Sequence, residues 1–288
     1  MLTLRRTAPS NYFLFIPLND DGNSLTMTST ATRMWGLDSP TMSIDAAHLV
    51  IGAEGTVNIP LPSYLIEHEQ GLVLFDTGMH PDVCEDPRLV FGDRPESTML
   101  SGTAEQRLDH QLRLLGFDVE DVTHVVLSHT HTDHAGGLFM FPHAKFYIGP
   151  GEYDYAKNPP ATSAHLVMPR DFLTSEIQNF DWNTVDSPVF DLFGDGAVQL
   201  HHFPGHTPGE LSTLVRLPSQ NIMLTADTVH LREAVDWRQT DPSDWDHEVG
   251  KESIDRMLAV TEQEQARLWI SHDERDWADF GGPRTELT

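Results

Sequence analysis

At 288 residues with a hydrophobic fraction of 39%, the chain can bury a substantial core and is too apolar to be disordered. Its formal net charge of −26, with lysine only at 145, 157 and 251, disfavours nucleic acids and anionic membrane surfaces as partners. The lone cysteine, Cys84, rules out an intrachain disulfide and a thiolate-rich zinc site, so any bound metal must be held by imidazole and carboxylate.

No long apolar stretch follows Met1–Arg6, and the apolar run near Asn11–Leu18 is broken by Pro17. Neither a signal core nor a membrane span is expected, and a cytoplasmic location is. Tyr12–Ile16 reads as a strand and Leu25–Pro40 as irregular. Met27, Met34 and Trp35 in that stretch either pack over the core or line a pocket. Val57–Glu67 alternates like a strand despite Pro60 and Pro62, and Leu72–Phe75 pairs with it as a hairpin ending in Asp76-Thr77-Gly78. Asp76 either caps that turn or orients a ligand histidine.

Pro81–Thr103 reads as loop, and Ala104–Leu115 as an amphipathic helix stopped by Gly116. Val122–Leu127 is a buried strand that runs into Ser128-His129-Thr130-His131-Thr132-Asp133-His134. Lys145–Ile148 is a further strand and Gly151–Lys157 a helix, with a helical insertion expected around 150–190. His143 and His165 have no ligand-spaced partner and read as structural or solvated. Val198–Phe203 leads into the tight turn Pro204-Gly205-His206-Thr207-Pro208-Gly209. Leu211–Leu217 and Asn221–Ala226 are strands, the second followed at once by Asp227. Asp246–Glu264 is helical, and Arg267–Ile270 is a last strand before Ser271-His272. No linker divides the chain, so 1–288 is expected to be one domain, with 1–56 packing on the rest.

Four apolar β runs therefore end in a metal-capable residue: before His129, His206, Asp227 and His272. With His131, Asp133 and His134 the set numbers seven, more than one tetrahedral ion takes. It suits two divalent ions sharing one carboxylate and one water, a device for hydrolysis. Zinc is the default ion, while iron, cobalt or manganese suit the same donors.

The ordered motifs Asp76-Thr77-Gly78, His129-x-His131-x-Asp133-His134, Gly205-His206-Thr207-Pro208-Gly209, Asp227 and His272 resemble the metallo-β-lactamase superfamily. The resemblance implies an α/β fold, an αββα sandwich of two mixed sheets flanked by helices, with the site at one sheet edge. It implies that His129, His131 and His206 hold one ion, that Asp133, His134 and His272 hold the other, and that Asp227 bridges them. Within the superfamily the chain is most similar to N-acyl homoserine lactonases, the quorum-quenching enzymes, with a glyoxalase II-like thioesterase or another small-lactone or ester hydrolase of the superfamily as the alternative. Those lactonases often carry Tyr three residues after the bridging Asp; this chain has His230. The implied mechanism is attack of a metal-bridging hydroxide on the lactone carbonyl, with His230 stabilising the oxyanion and Asp133 as proton donor. Met27, Trp35 and parts of 139–168 are the expected acyl-chain contacts, and a homodimer is the expected assembly.

Overall fold

The computed structural model describes residues 29–288. The expected strand at Tyr12–Ile16 and the expected contact Met27 lie outside them. The described strands are β1 (Arg33–Gly36), β2 (Thr41–Asp45), β3 (Thr56–Pro60), β4 (Tyr64–His68), β5 (Gly71–Phe75), β6 (Leu100–Ser101), β7 (Val122–Leu127), β8 (Lys145–Ile148), β9 (Asp181–Thr184), β10 (Val189–Asp191), β11 (Val198–His202), β12 (Leu211–Arg216), β13 (Asn221–Leu224) and β14 (Ala266–Trp269).

Two sheets stack face to face. One has the order β1-β4-β5-β7-β8-β9, the other β10-β11-β12-β13-β14. Side chains alternate across each strand, so the inner faces meet while the outer faces take helices. In β5, Val73 and Phe75 point inward with Val126 of β7, meeting Leu200, Leu211, Ile222, Leu224 and Trp269 of the second sheet. Leu72 and Leu74 point outward with Val125 and Leu127, under Leu108 and Leu112 of the helix Leu108–Leu114. The outer face of the second sheet, with Leu214 and Met223, is covered by Ile254 and Met257 of the helix His247–Gln263. Asp246 starts that helix by accepting from the Glu248 and Val249 amides. The result is the expected αββα order of layers. Among the described residues, no helix is long and apolar enough to cross a membrane.

Strand direction places the site. β5, β7, β8 and β9 run parallel, so Asp76 and the His129 loop leave the same edge. β11 and β13 are both antiparallel to β12, and β13 is parallel to β14, so the ends that precede His206, Asp227 and His272 share one edge too. The Leu211 amide donates to the Ser128 carbonyl at 3.0 Å, joining the two edges beside the site.

Several expectations are corrected. Leu25–Pro40 is not wholly irregular: Arg33–Gly36 is an edge strand paired with β4, and its other side takes the C-terminal Leu287. Val57–Glu67 is not one strand, because residues 61–63 break it after Pro60 and send β3 into a separate sheet of order β3-β2-β6. Pro81–Thr103 holds two one-turn helices, Arg88–Phe91 and Glu96–Met99. The 150–190 region carries the helix Glu152–Lys157, two short helices and β9, which extends the first sheet.

Candidate metal centre

The loop after β7 leaves the sheet with Ser128–His131 and winds into one helical turn, Thr132–Ala135. That turn directs Asp133 and His134 to one side of the path already set by His129 and His131. His206 is held by its turn, where Gly205 at φ 150° lies so close to Gly250 that a β-carbon would sit 2.2 Å from the Gly250 Cα. Asp227 follows Ala226, a non-glycine residue at φ 45°, and Asp76 itself sits at φ 60°. Strained backbone at two strand ends, at Asp76 itself and just before Asp227, marks a functional site.

All seven metal-capable side chains converge. His131 Nδ1 is 3.0 Å from both His129 Nε2 and His206 Nε2. Asp227 Oδ2 lies 3.6 Å from His129 Nε2 and 3.4 Å from His206 Nε2. Its other oxygen faces the second group, 3.3 Å from His134 Nε2 and 2.9 Å from His272 Nε2. Asp133 Oδ2 completes that group at 3.6 and 3.8 Å from the same two nitrogens. The donors thus fall into two clusters, His129-His131-His206-Asp227 and Asp133-His134-His272, with the Asp227 carboxylate between them.

These distances suit cations. Three imidazole nitrogens on a tetrahedral ion with bonds of ~2.05 Å stand about 3.3 Å apart. Nitrogens 3.0 Å apart whose partners lie elsewhere have lone pairs aimed at a common point, which is unfavourable unless a cation lies between them. Asp227 Oδ1 and His134 Nε2 are buried with no hydrogen bond of good geometry, although 3.3 Å apart, as unused donor atoms would be.

The outer nitrogens confirm which atom each histidine offers. His134 Nδ1 bonds Asp76 at 2.8 Å, and Asp76 also accepts from the Ser128 amide and hydroxyl. His206 Nδ1 bonds Asp244 at 2.8 Å, and His272 Nδ1 donates to the Pro60 carbonyl at 2.8 Å. His129 Nδ1 faces the Ser128 hydroxyl at 3.0 Å and Glu210 at 3.3 Å. His131 is reversed: its Nε2 meets the Tyr155 hydroxyl at 2.8 Å, leaving Nδ1 for the centre. Such partners fix ring orientation and raise ligand basicity.

Burial, and then the neighbouring histidines, hold His129 and His131 well below the usual imidazole range, so both are neutral. Burial would also lower His134, but Asp227, Asp133 and Asp76 outweigh it and raise the group well above that range. Burial opposes ionisation of Asp227, yet His134, His272 and His230 hold it well below the carboxylate range. A ligand imidazole must be unprotonated, so protons and divalent cations compete for the same nitrogens.

A cavity of about 480 Å³ opens onto this cluster, within the range for small-molecule sites. His131, Asp133, His206, Asp227, His230 and His272 form its polar floor. Met42, Ile44, Leu49, Ile59, Phe91 and Met99 supply apolar wall, and Thr162, His165 and Leu166 a further, more polar stretch of lining. His165, expected to be structural or solvated, is therefore at the cavity, whereas His143 donates to or accepts from nothing there and meets the Val122 carbonyl. His230 Nε2 sits 3.0 Å from Asp227 and 3.6 Å from Asp241. Burial lowers His230, but the Asp227 and Asp241 carboxylates prevail and raise it to about 9.

Trp35 is not a pocket residue. It is 3% exposed in the core on the far side of the first sheet, edge-on to Phe117 at 5.8 Å, because β1 pairing turns it away from the cavity. Sequence reasoning also missed Glu152, Glu210, Tyr155 and Asp244. Glu152 accepts from the Thr130 amide and hydroxyl and from the Gly209 amide, tying the His129 loop to the His206 turn. Glu210 accepts from the Asp227 amide at 3.0 Å. The available signal was Glu210 directly after the Gly-His-Thr-Pro-Gly turn and Tyr155 three residues beyond Glu152.

The Metallo-beta-lactamase superfamily description matches residues 60–262. The N-acyl homoserine lactonase AttM of Agrobacterium fabrum is 30% identical over 256 residues, covering 87% of this chain and 97% of the relative. The N-acyl homoserine lactonase AiiA of Bacillus thuringiensis subsp. kurstaki is 28% identical over 219 residues, 75% of this chain and 82% of its own. A B. thuringiensis AiiA variant with N-decanoyl-L-homoserine bound at its active site superposes with a TM-score of 0.75 at 23% identity, over 87% of this chain and 97% of that one. The dizinc quorum-quenching lactonase AidC, in complex with a hexanoyl homoserine product, superposes at 0.64 with 20% identity, over 86% and 91%.

Proposed function

Since this chain belongs to the metallo-β-lactamase superfamily, we propose that it is a dinuclear-metal hydrolase that opens the lactone ring of N-acyl homoserine lactones. The observation that carries the reading is the split of Asp227, one oxygen towards each donor cluster, on the floor of an apolar-walled cavity. The lactonase relatives support the substrate class.

His129, His131 and His206 would hold one ion, Asp133, His134 and His272 the other, and Asp227 would span both. Zinc fits the imidazole-carboxylate donors and their spacing. A pair of such ions supplies a water of lowered pKa and a Lewis acid for the ester carbonyl. The protein supplies the rest. Met42, Ile44, Leu49 and Phe91 take the acyl chain, at about 0.8 kcal/mol per buried methylene. His230, facing the cavity, donates a hydrogen bond to a lactone oxygen and stabilises charge that develops there. Asp133, its side chain 18% exposed and lining the cavity, stands where it can return a proton to the leaving ring oxygen. The net charge of −26 favours release of the anionic ring-opened product. A cytoplasmic homodimer is part of the proposal.

The glutathione-thioester alternative needs cations for an anionic substrate. Among the described residues, no lysine or arginine lines the main cavity. Arg275 is engaged by Asp273 and Glu233, and Arg284 by Gln111. Ring opening releases a proton, so pH-stat assays of the metal-loaded protein across lactones and thioesters decide between them. Intact homoserine lactones beside a cleaved glutathione thioester would overturn the reading.

A further inference from the structure

Besides Met42, Ile44, Leu49 and Ile59, the cavity wall away from the metal-capable floor includes two stretches of chain with little regular structure. One runs through Phe91, Pro95, Glu96 and Met99; the other through Thr162, His165 and Leu166. The first contains only four-residue helices. The second is anchored to the ligand loop, where Thr132 donates its amide to the Leu166 carbonyl at 2.9 Å and its hydroxyl to Asp171 at 2.6 Å. Arg94 joins the two. Its guanidinium donates to Glu96 Oε1 at 2.6 Å on its own stretch, and to the His165 carbonyl at 2.5 Å and Met168 Sδ at 3.1 Å on the other. The same group lies 5.5 Å from the centroid of the Phe91 ring, itself part of the wall.

We propose that Arg94 is a positioning residue for acyl-chain selectivity: it clasps the 91–99 and 162–168 stretches so that the far end of a long chain stays covered by the apolar side chains they carry, Phe91, Met99 and Leu166. The inference rests on the lactonase reading for the identity of the chain. A planar fork with several donors can span three acceptors at fixed geometry, which a lysine cannot. Without the clasp the stretches part, and the terminal methylenes face water. Each buried methylene contributes about fourfold in affinity, so uncovering two of them removes about fifteenfold from long chains and nothing from short ones.

The test uses the metal-loaded protein and its Arg94→Ala, Arg94→Met and Arg94→Lys forms. Calorimetry gives Kd for ring-opened N-dodecanoyl- and N-butanoyl-homoserine, and kinetics give KM and kcat for the matching lactones. The dodecanoyl-to-butanoyl preference in Kd and KM falls at least tenfold in Arg94→Ala, with kcat for the long chain retained. Arg94→Met, which keeps the stem over Phe91, loses as much, and Arg94→Lys lies between. A preference unchanged in the Ala and Met forms, or a loss equal for both chain lengths, overturns the proposal. Absence of lactone turnover in the unsubstituted protein would instead overturn the activity reading, while the binding ratio still decides the clasp.

Discussion

Asp76 and Asp244 each orient one histidine, and the two histidines belong to different clusters. Replacing either by Asn should therefore weaken one ion more than the other. In Asp244→Asn the His206 Nδ1–H, now 2.8 Å from a carboxylate, meets a weaker acceptor or a competing N–H. Asp76 accepts three bonds, from the Ser128 amide, the Ser128 hydroxyl and His134. An Asn there cannot accept at both oxygens' positions, so either the loop or the His134 ring loses a partner. Loss of such a partner costs 10–100-fold in metal affinity, about 1.4–2.7 kcal/mol. Competition titration against a chromophoric chelator gives the two dissociation constants. Nitrogen-15 NMR of the histidine rings at one equivalent of metal shows which ring is loaded first. Asp76→Asn should load His129, His131 and His206 first, and Asp244→Asn should load His134 and His272 first. The same loading order in both variants would refute the two-cluster division.

Three further outcomes follow from the same geometry. His230→Phe removes the cavity-facing donor 3.0 Å from Asp227; kcat for a homoserine lactone should fall about 10²-fold or more with two ions still bound, and an unchanged kcat would make His230 a bystander. Trp35→Ala should cost about 3–5 kcal/mol in urea unfolding, because the ring is core, and leave KM for long-chain lactones unchanged; a raised KM would return Trp35 to the pocket. His201 is 4% exposed, and burial, followed by Arg216, lowers it from 6.5 to about 4. Between those values the unfolded chain binds a proton the folded chain does not, so stability is intact above pH 6.5 and falls by about 3 kcal/mol as pH drops to 4. The difference between the stability curves of the protein and its His201→Leu form should show that slope, and parallel curves would contradict it.

The ligands were legible in the sequence because four of them, His129, His206, Asp227 and His272, follow apolar runs, and strand ends in a stacked-sheet fold collect at one edge. His129, His131, Asp133 and His134 also announce themselves locally, within six residues. Part of the wall was legible, since the 139–168 stretch supplies Thr162, His165 and Leu166, but Met42, Ile44, Leu49, Ile59, Phe91 and Met99 were not. β2 is half-exposed along its length, and the helices at Arg88–Phe91 and Glu96–Met99 are one turn each, too short for any periodic signal. Trp35 was misplaced because its strand depends on β4 and on Leu287, far away in sequence. Asp244 reaches His206 from a loop 38 residues later, and nothing local marks it. Glu210 and Glu152 look like ordinary surface acids in sequence, yet both are fully buried as acceptors that hold the ligand loops together.

The central claim, two ions acting together on a lactone, is tested most directly by stepwise reconstitution. Metal-free protein is titrated with zinc while ring opening of an N-acyl homoserine lactone is followed by pH-stat and bound metal is counted by elemental analysis. The account predicts that activity reaches its plateau only at two ions per chain and is abolished in Asp227→Ala. A plateau at one ion, full activity without Asp227, or no ring opening at any loading would contradict it.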